Sequence, residues 1–594
     1  MKKIFFIVLI ALQACNNIPD AGEGEVYLCR NGESAYVIVL GKDASETEKT
    51  AAKELQKYLK EITGLAYPVA TDDTKKAGKQ EILIGKTNRE KGSPAVDREA
   101  LGSDGYQIFR SGKRIVIAGG GERGTLYGVY TFLESLGCRF FAVGVETVPK
   151  KETIVLSLSD VIKEKPVFEY RDVFWSVVFD ADISAKLKIN GTHADQSGAN
   201  RTIPKESGGG IRFTKPHFVH TFHYLIPADE YFEKHPEYFS EINGKRTSTY
   251  LYSQLCLTNP EVLRLSIEKV KTWLRDDPEG KIVSVSQDDS YVIESYCTCP
   301  SCAAIDEEEG SHAGALLRFV NAVADAVKEE FPDVAIETLA YQYSVTPPKI
   351  TKPRDNVIIR LCTGGCNAHP IETCPNNAGA KSNIVNWAKI CDRLYIWDYT
   401  TNFAHYLAPF PSLNALQPNA RFFAENNVKG VFEQGNYQGG HNGEFGDLRA
   451  YLLAKLLWNP YTDIEKHKRE FLEAYYGKAN PYIKEYIDRL HAIFAPANNH
   501  FYIIFDPAAL FNPYVTDELL LQADNLWEQA KKAADSEEIS DRVRRAELQY
   551  RYYKLMAGRG EYADETTKTQ FFADCLELGI TRISEGANIP PVIP

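Results

Sequence analysis

The chain has few long apolar runs. After one short stretch near its start, no segment is long and hydrophobic enough to cross a bilayer as a helix, which excludes a polytopic helical membrane protein. It also lacks positive charge. The 68 Lys and Arg stand against 80 Asp and Glu, and the resulting net charge of −12 argues against nucleic acid or an anionic membrane face as a partner. No internal repeat or low-complexity linker interrupts it. No Walker lysine follows its glycine run, no His-Glu-x-x-His occurs, and paired Cys-x-x-Cys knuckles are missing. What remains is a composition of 44% hydrophobic and 25% charged residues, ordinary enough to exclude extensive disorder. At 594 residues the chain exceeds one core, so several domains are expected.

The single apolar stretch reads as a leader. Lys2 and Lys3 precede Ile4–Leu12, too short for a stable span, and Leu12-Gln13-Ala14-Cys15 follows. That ending resembles a bacterial lipobox and implies cleavage with lipidation of Cys15. The expectation is an outer-membrane lipoprotein, facing the cell surface or the periplasm, that touches the membrane only through this anchor. Eleven cysteines then remain in an oxidising compartment, where disulfides persist.

Three regions follow. Residues 16–160 read as an α/β domain: a strand at Ala35–Leu40, a helix from Glu46 to Ile62, a strand at Glu81–Gly85, and a hairpin through Tyr106–Arg110 and Arg114–Ala118. The glycines at 119–121 are read as closing that hairpin, with a helix after them. From 165 to 445, strand-like and helical runs alternate, which implies a parallel sheet with crossovers. Eight candidate strands are Arg171–Trp175, Phe218–Phe222, Gln254–Leu257, Ile282–Ser286, Ala335–Tyr341, Val357–Leu361, Leu394–Trp397 and Gly430–Phe432. Their number fits a (β/α)8 TIM-type barrel. Residues 446–594 read as helical: Asp447–Trp458, Ile464–Tyr476, Pro481–Phe494, Thr516–Ala534 and Glu537–Ala557.

Chemistry concentrates at the strand ends. Alternation along 283–288 turns Val283 and Val285 toward the outer helices and Ser284, Ser286 and Asp288 toward the barrel axis. Asp288 then stands at the C-terminal mouth, where barrel enzymes keep their sites, and Asp289 can turn into the same mouth. Two carboxylates this close repel, so one is expected to hold a proton at neutral pH, as a general acid must. The blander alternative is a helix cap or a loop calcium site. Glu433 ends another strand and suits an acid, a base, a hydroxyl ligand or a rim ion pair. Trp397, Asp398, Tyr399 and Asn402, with Tyr341 and Tyr343, cluster at further strand ends, and Asn190 adds another amide. Aromatics beside carboxylates and amides suit sugar rings, which present an apolar face and a rim of hydroxyls. His217, His220 and His223 are spaced wrongly for a zinc site; His220 and His223 are better placed as hydrogen-bonding ligands of a substrate hydroxyl. No metal or cofactor is expected in the chemistry.

Two cysteine groups, Cys297, Cys299 and Cys302, then Cys362, Cys366 and Cys374, lie on loops after the fourth and sixth strands. They suit three disulfides or a structural zinc drawn from four of them, and spacing does not decide. In either case they staple loops at the mouth.

Several motifs carry a family resemblance. Gly124-Thr125-Leu126-Tyr127-Gly128-Val129 with Leu136-Gly137-Cys138-Arg139-Phe140 resembles the N-terminal α/β domain of β-hexosaminidases and α-glucuronidases. His235-Pro236-Glu237-Tyr238-Phe239, Leu255-Cys256-Leu257-Thr258-Asn259-Pro260, the Cys-x-Cys-x-x-Cys loop and Trp397-Asp398-Tyr399 together resemble domain of unknown function 4838. Part of that group is classed as glycoside hydrolase family 163. The resemblance covers residues 30–460. It implies a glycoside hydrolase acting on glycans or glycoproteins, with substrate-assisted cleavage of an N-acetylhexosaminide: the sugar's 2-acetamido oxygen attacks C1, one carboxylate orients the acetamide N–H, and its neighbour protonates the leaving oxygen. The matching positions are Asp288 as orienter and Asp289 as acid. Many such enzymes carry Asp-Glu there, so Glu433 stays a rival for the acid. An α-glucuronidase-like inverting hydrolase, with Arg171 or Arg360 for the uronate, and a non-catalytic glycan-binding lipoprotein are the alternatives.

Overall fold

The computed structural model describes residues 26–74, 78–90, 95–156, 161–194, 200–441 and 443–591. The expected leader and its Cys15 lie outside the described residues. No described helix is long and apolar enough to cross a membrane.

The first region is a mixed six-stranded sheet. Its strand order is Ile162–Glu164, Tyr106–Ser111, Arg114–Gly119, Glu81–Ile84, Val37–Leu40 and Val69–Thr71. Two helices carry its core. Glu46–Thr63 opens with a capping box between Ser45 and Glu48 and buries Leu55, Leu59 and Ile62. Glu122–Ser135 is buried on all sides along its middle, without a break from Gly124 to Tyr130. The glycine run does not close the hairpin, whose turn is at Gly112. Instead it joins the strand Arg114–Gly119 to the helix Glu122–Ser135. Glycine is needed there for close packing, because a Cβ on Gly120 would fall 2.0 Å from the carbonyl oxygen of Gly102.

The second region is a curled, wholly parallel sheet of six strands. Tyr170–Phe174 pairs with Val428–Gln434, and the order continues through Leu394–Tyr399, Val357–Cys362, Ala335–Ala340 and Ile282–Ser284. Six of the expected strands are therefore present. The other two are not strands: Phe222–Leu225 is a helical turn, and Gln254–Leu257 makes only an isolated bridge from Leu255 to Phe239. Between the first strand and Ile282–Ser284 run two short parallel strands, Gly191–Ala194 and Ile211–Arg212. Asn190 N–H donates to Arg171 O at 3.1 Å on one side, and Thr214 N–H to Ile282 O at 2.7 Å on the other.

The alternation expected of such a sheet is present on its strands. Ile282, Leu339, Ile358, Tyr395, Trp397 and Phe432 pack into one interior cluster. Val283, Ile336, Ile359, Ile396 and Val431 belong to the larger cluster that the helices cover. Inside the curl, Arg360 and Glu337 form a buried ion pair at 2.7 Å, with the guanidinium stacked on Phe218 and Trp397.

Helices Gly446–Trp458, Ile464–Tyr476, Asn480–Ile493, Asp517–Ala533 and Glu537–Ala557 form the third region, followed by Glu565–Glu577 and a small hairpin, Arg582–Ser584 with Ala587–Asn588.

Candidate active site

At the C-terminal end of Ile282–Ser284 the chain leaves the sheet and carries Ser286 to Asp289 across the mouth. Asp288 is 5% exposed. Its backbone is clamped by one side chain: Asp288 N–H donates to Gln254 Oε1 at 2.9 Å, and Gln254 Nε2 donates to Asp288 O at 2.9 Å. Its carboxylate accepts from the His223 backbone N–H at 3.3 Å and lies 2.6 Å from His223 Nδ1. Burial pushes the Asp288 carboxyl above its ordinary range, and His223 opposes that rise.

Asp289 is half-buried and sits differently. Its Oδ1 accepts from the Tyr341 hydroxyl at 3.2 Å and from Ser290 N–H at 2.9 Å. The adjacent carboxylates thus have separate environments, one below the rim and one on it.

His220 stands beside them at φ 54°, a left-handed conformation for a residue other than glycine. Its N–H donates to Ser286 Oγ at 2.9 Å, and its ring Nδ1 donates to Gln287 O at 2.8 Å. Because a carbonyl can only accept, Nδ1 carries the proton in that bond. His217 does not join them. It packs on Tyr224 and Trp273, where burial lowers its imidazole to about 4.

Trp397 and Tyr399 line the interior cluster from the strand Leu394–Tyr399, three places along the sheet from Ile282–Ser284. Trp397 Nε1 donates to Gln434 Oε1 at 2.8 Å.

Other expected ligands fall elsewhere. Tyr343 lies next to Tyr296, with 5.6 Å between ring centres, in a crevice shared with Cys297 and His312. Asn402 is 1% exposed and its amide is already engaged: Nδ2 donates to Phe505 O, far along the chain, at 2.8 Å, and Oδ1 accepts from Ala404 N–H on its own loop at 3.1 Å. Asn190 is at the opposite rim, the N-terminal ends of the strands. It accepts from Arg171 N–H at 2.8 Å and donates to Asp104 Oδ2 at 2.9 Å, joining the first region to the sheet.

Glu433 and Asp398 are paired in register, and alternation with Val431 and Ile396 sets both on the helix-facing side of the sheet. Asp398 Oδ1 accepts from the Thr363 hydroxyl at 2.6 Å. Glu433 is 3% exposed and its Oε2 is without a hydrogen-bond partner. Burial first, and then Asp398, push its carboxyl well above the ordinary range. Glu433 is therefore a buried acid behind the sheet, separated from the Asp288 and Asp289 pair in the mouth.

Two contributors were not anticipated from sequence. The C-terminal hairpin folds back so that Glu585 accepts from the Tyr437 hydroxyl at 3.1 Å and lies 3.4 Å from Gln434 Nε2. Tyr250, 54% exposed, holds its ring 4.8 Å from that of His223, above the acid pair. Neither lies on a strand of the curled sheet, so strand-end reasoning had no means of finding it.

The cysteines also regroup. No described cysteine is disulfide-bonded. Cys297, Cys299 and Cys302 gather with Cys256, Cys366 and Cys374 with His500, and Cys362 belongs to neither group.

Residues 140–488 match the family model described as domain of unknown function (DUF4838), more than half of the chain, and residues 29–132 match that of the glycosyl hydrolase family 67 N-terminus. The sequence has no match among curated proteins. Among solved structures the chain is similar to BtGH115A, described as a GH115 4-O-methyl-α-glucuronidase with specificity for decorated arabinogalactans. Identity is 12% and the TM-score 0.54, over 92% of this chain and 76% of that one. Flavobacterium johnsoniae chitobiase aligns at 13% identity and TM-score 0.46, over 93% of this chain and 94% of that one. Streptomyces plicatus N-acetyl-β-hexosaminidase aligns at 13% identity and TM-score 0.44, over 79% and 93%. At such identities likeness concerns fold and not chemistry.

Proposed function

We propose that this chain, which belongs to the DUF4838 family, is a glycoside hydrolase that cleaves N-acetylhexosaminide linkages, β-GlcNAc in particular, in complex glycans. The observation that carries the reading is the acid pair at one strand end: Asp289 on the rim, 3.2 Å from the Tyr341 hydroxyl, and Asp288 just below it, clamped by Gln254 and His223. The proposed mechanism is substrate-assisted and retaining. The acetamido oxygen forms a bond to C1 as the glycosidic C–O bond breaks, and Asp289 gives its proton to the leaving oxygen. Ionised Asp288 accepts the acetamide N–H and holds that group in line for attack. Water then opens the cyclic intermediate at C1 and its proton returns to Asp289.

This reading takes the curled sheet as an eight-stranded barrel, with Gly191–Ala194 and Ile211–Arg212 as its short second and third strands. It also takes the Cys15 leader as the lipid anchor of a surface enzyme. The inverting alternative pairs Asp289 with Glu433, and the helix-facing side chain of Glu433 speaks against it. Its uronate would also need an arginine, yet Arg171 is bound to Asp104 at 2.6 Å and Arg360 to Glu337 at 2.7 Å.

Digestion of a mixed glycoprotein glycan pool with mass-spectrometric product analysis tests the proposal. Release of fragments ending in N-acetylhexosamine with retained anomeric configuration is expected. Binding to a glycan array with no product on prolonged incubation would mark a binding protein and overturn it.

A further inference from the structure

We propose that Cys256, Cys297, Cys299 and Cys302 bind one structural zinc ion beneath the loop that carries the acid pair. The inference stands on the geometry of the cysteines and is independent of the glycosidase reading. All four Sγ atoms lie within 4.8 Å of one another and all four residues are buried. The Cys256 sulfur is 3.7 Å from that of Cys299 and 4.0 Å from that of Cys302. A disulfide requires about 2.05 Å between sulfurs. Four thiolates around a tetrahedral zinc at about 2.3 Å place their sulfurs about 3.8 Å apart, which matches these separations.

The surroundings suit bound thiolates. Glu241 N–H donates to Cys297 Sγ at 3.3 Å, Arg246 Nη1 approaches the same sulfur at 3.5 Å, and the Thr258 hydroxyl lies 3.2 Å from Cys302 Sγ. Such outer contacts orient ligands, and the guanidinium offsets part of the negative charge of a zinc held by four thiolates. Binding would form four Zn–S bonds and release the thiol protons to solvent.

The site joins two segments that are distant in sequence. Cys297, Cys299 and Cys302 belong to the loop running on from Asp288 and Asp289, and Cys299 is the residue just before the helix Pro300–Glu309. Cys256 lies two residues beyond Gln254, whose amide holds Asp288 at both backbone atoms. One ion would therefore fix the clamp and the loop it grips.

The test is metal analysis of the purified full-length chain together with two variants. Wild-type protein should carry tightly held zinc, and Cys256→Ser should lose one equivalent of it. Cys366→Ser, in the separate group with Cys374 and His500, should keep that equivalent. Cobalt(II) loaded in place of zinc should give the sulfur-to-metal charge-transfer absorption of a tetrahedral thiolate site. In Cys256→Ser, amide hydrogen exchange should rise across residues 253–258 and 285–302, with the rest of the chain unchanged. Iron as the dominant metal, zinc retained in full by Cys256→Ser, or disulfides among these four cysteines in thiol counting of the denatured wild type would each overturn the proposal.

Discussion

His223 Nδ1 lies 2.6 Å from Oδ1 of Asp288, and the His223 backbone N–H meets the same oxygen at 3.3 Å. This one residue supplies the interactions that most oppose the burial of Asp288. His223 is a positioning residue in the proposed mechanism: it opposes the burial-driven rise of the Asp288 pKa and fixes which way its carboxylate faces.

His223→Ala should therefore change the pH profile as well as the rate. Loss of the imidazole leaves burial less opposed, so the Asp288 pKa rises further above its ordinary value. Activity that needs ionised Asp288 falls as pH drops through that pKa, so the acidic limb of kcat should move to higher pH. A purely structural role would lower kcat at every pH without moving the limb. His223→Gln, which retains an amide donor, should restore part of the shift.

Asp289→Asn should abolish turnover and leave the fold intact. General acid catalysis contributes typically 10²- to 10⁴-fold, and a loss of about that size in kcat is expected. Tyr341→Phe, which removes the hydroxyl 3.2 Å from Asp289, should cost less and act mainly on kcat. Near-wild-type activity of Asp289→Asn would remove it as the acid. Circular dichroism and thermal unfolding of both variants separate chemistry from misfolding.

Much of the sheet was legible because its strands are continuous apolar runs, as strands buried on both faces must be. Val283 and Val285 face the helices as alternation requires, and Ile282 faces the interior. Phe218–Phe222 misled because Phe218 is a core residue that packs on Arg360 from a loop; a short apolar run shows burial but not backbone conformation. The short strands at Gly191–Ala194 and Ile211–Arg212 have no apolar pattern to betray them. Cys256 was visible as a cysteine, but its separation from Cys297 carries no ligand spacing. Glu585 reaches Gln434 only because the last hairpin folds back, across 151 residues of sequence. Contacts of that range are a property of packing, and local pattern holds no record of them.

Glu433→Gln should make stability less dependent on pH. The Glu433 carboxyl is raised well above 4.5 by burial and by Asp398. A raised acid favours the folded state below its unfolded pKa, where it is neutral in both states. That contribution is lost progressively as pH rises from the unfolded pKa to the folded one, because the unfolded state ionises there while the buried carboxyl stays protonated. The wild-type melting temperature should thus fall from pH 4.5 upward more steeply than that of Glu433→Gln. Parallel curves for the two proteins would show that Glu433 is not the group responsible.

Glu585→Ala should raise KM more than it lowers kcat. Its carboxylate meets Tyr437 at the mouth, and the hairpin is tied to the loop after Leu394–Tyr399 by Glu585 N–H to Phe403 O at 2.9 Å. A substrate long enough to cross the mouth would touch it. Glu585→Gln keeps an acceptor for Tyr437 and should recover much of the affinity. Equal KM values for short and long glycans in wild type and Glu585→Ala would exclude this contact.

The ion pair inside the curl is costly to break from one side. Arg360 and Glu337 have fully buried side chains, with Arg360 Nε 2.7 Å from Glu337 Oε1. Removing one partner leaves the other charge uncompensated in the interior, a loss of about 3–5 kcal/mol. Glu337→Leu should therefore lower the denaturant midpoint strongly, because Arg360 would keep its charge among Phe213, Phe218 and Trp397. Replacing both, with Arg360→Met added to Glu337→Leu, removes the stranded charge and should recover most of the loss, since paired apolar replacements of buried ions are often neutral. The double-mutant cycle by denaturant unfolding tests this directly. Additive losses would mean that each side chain acts through packing alone, with no coupling between the charges.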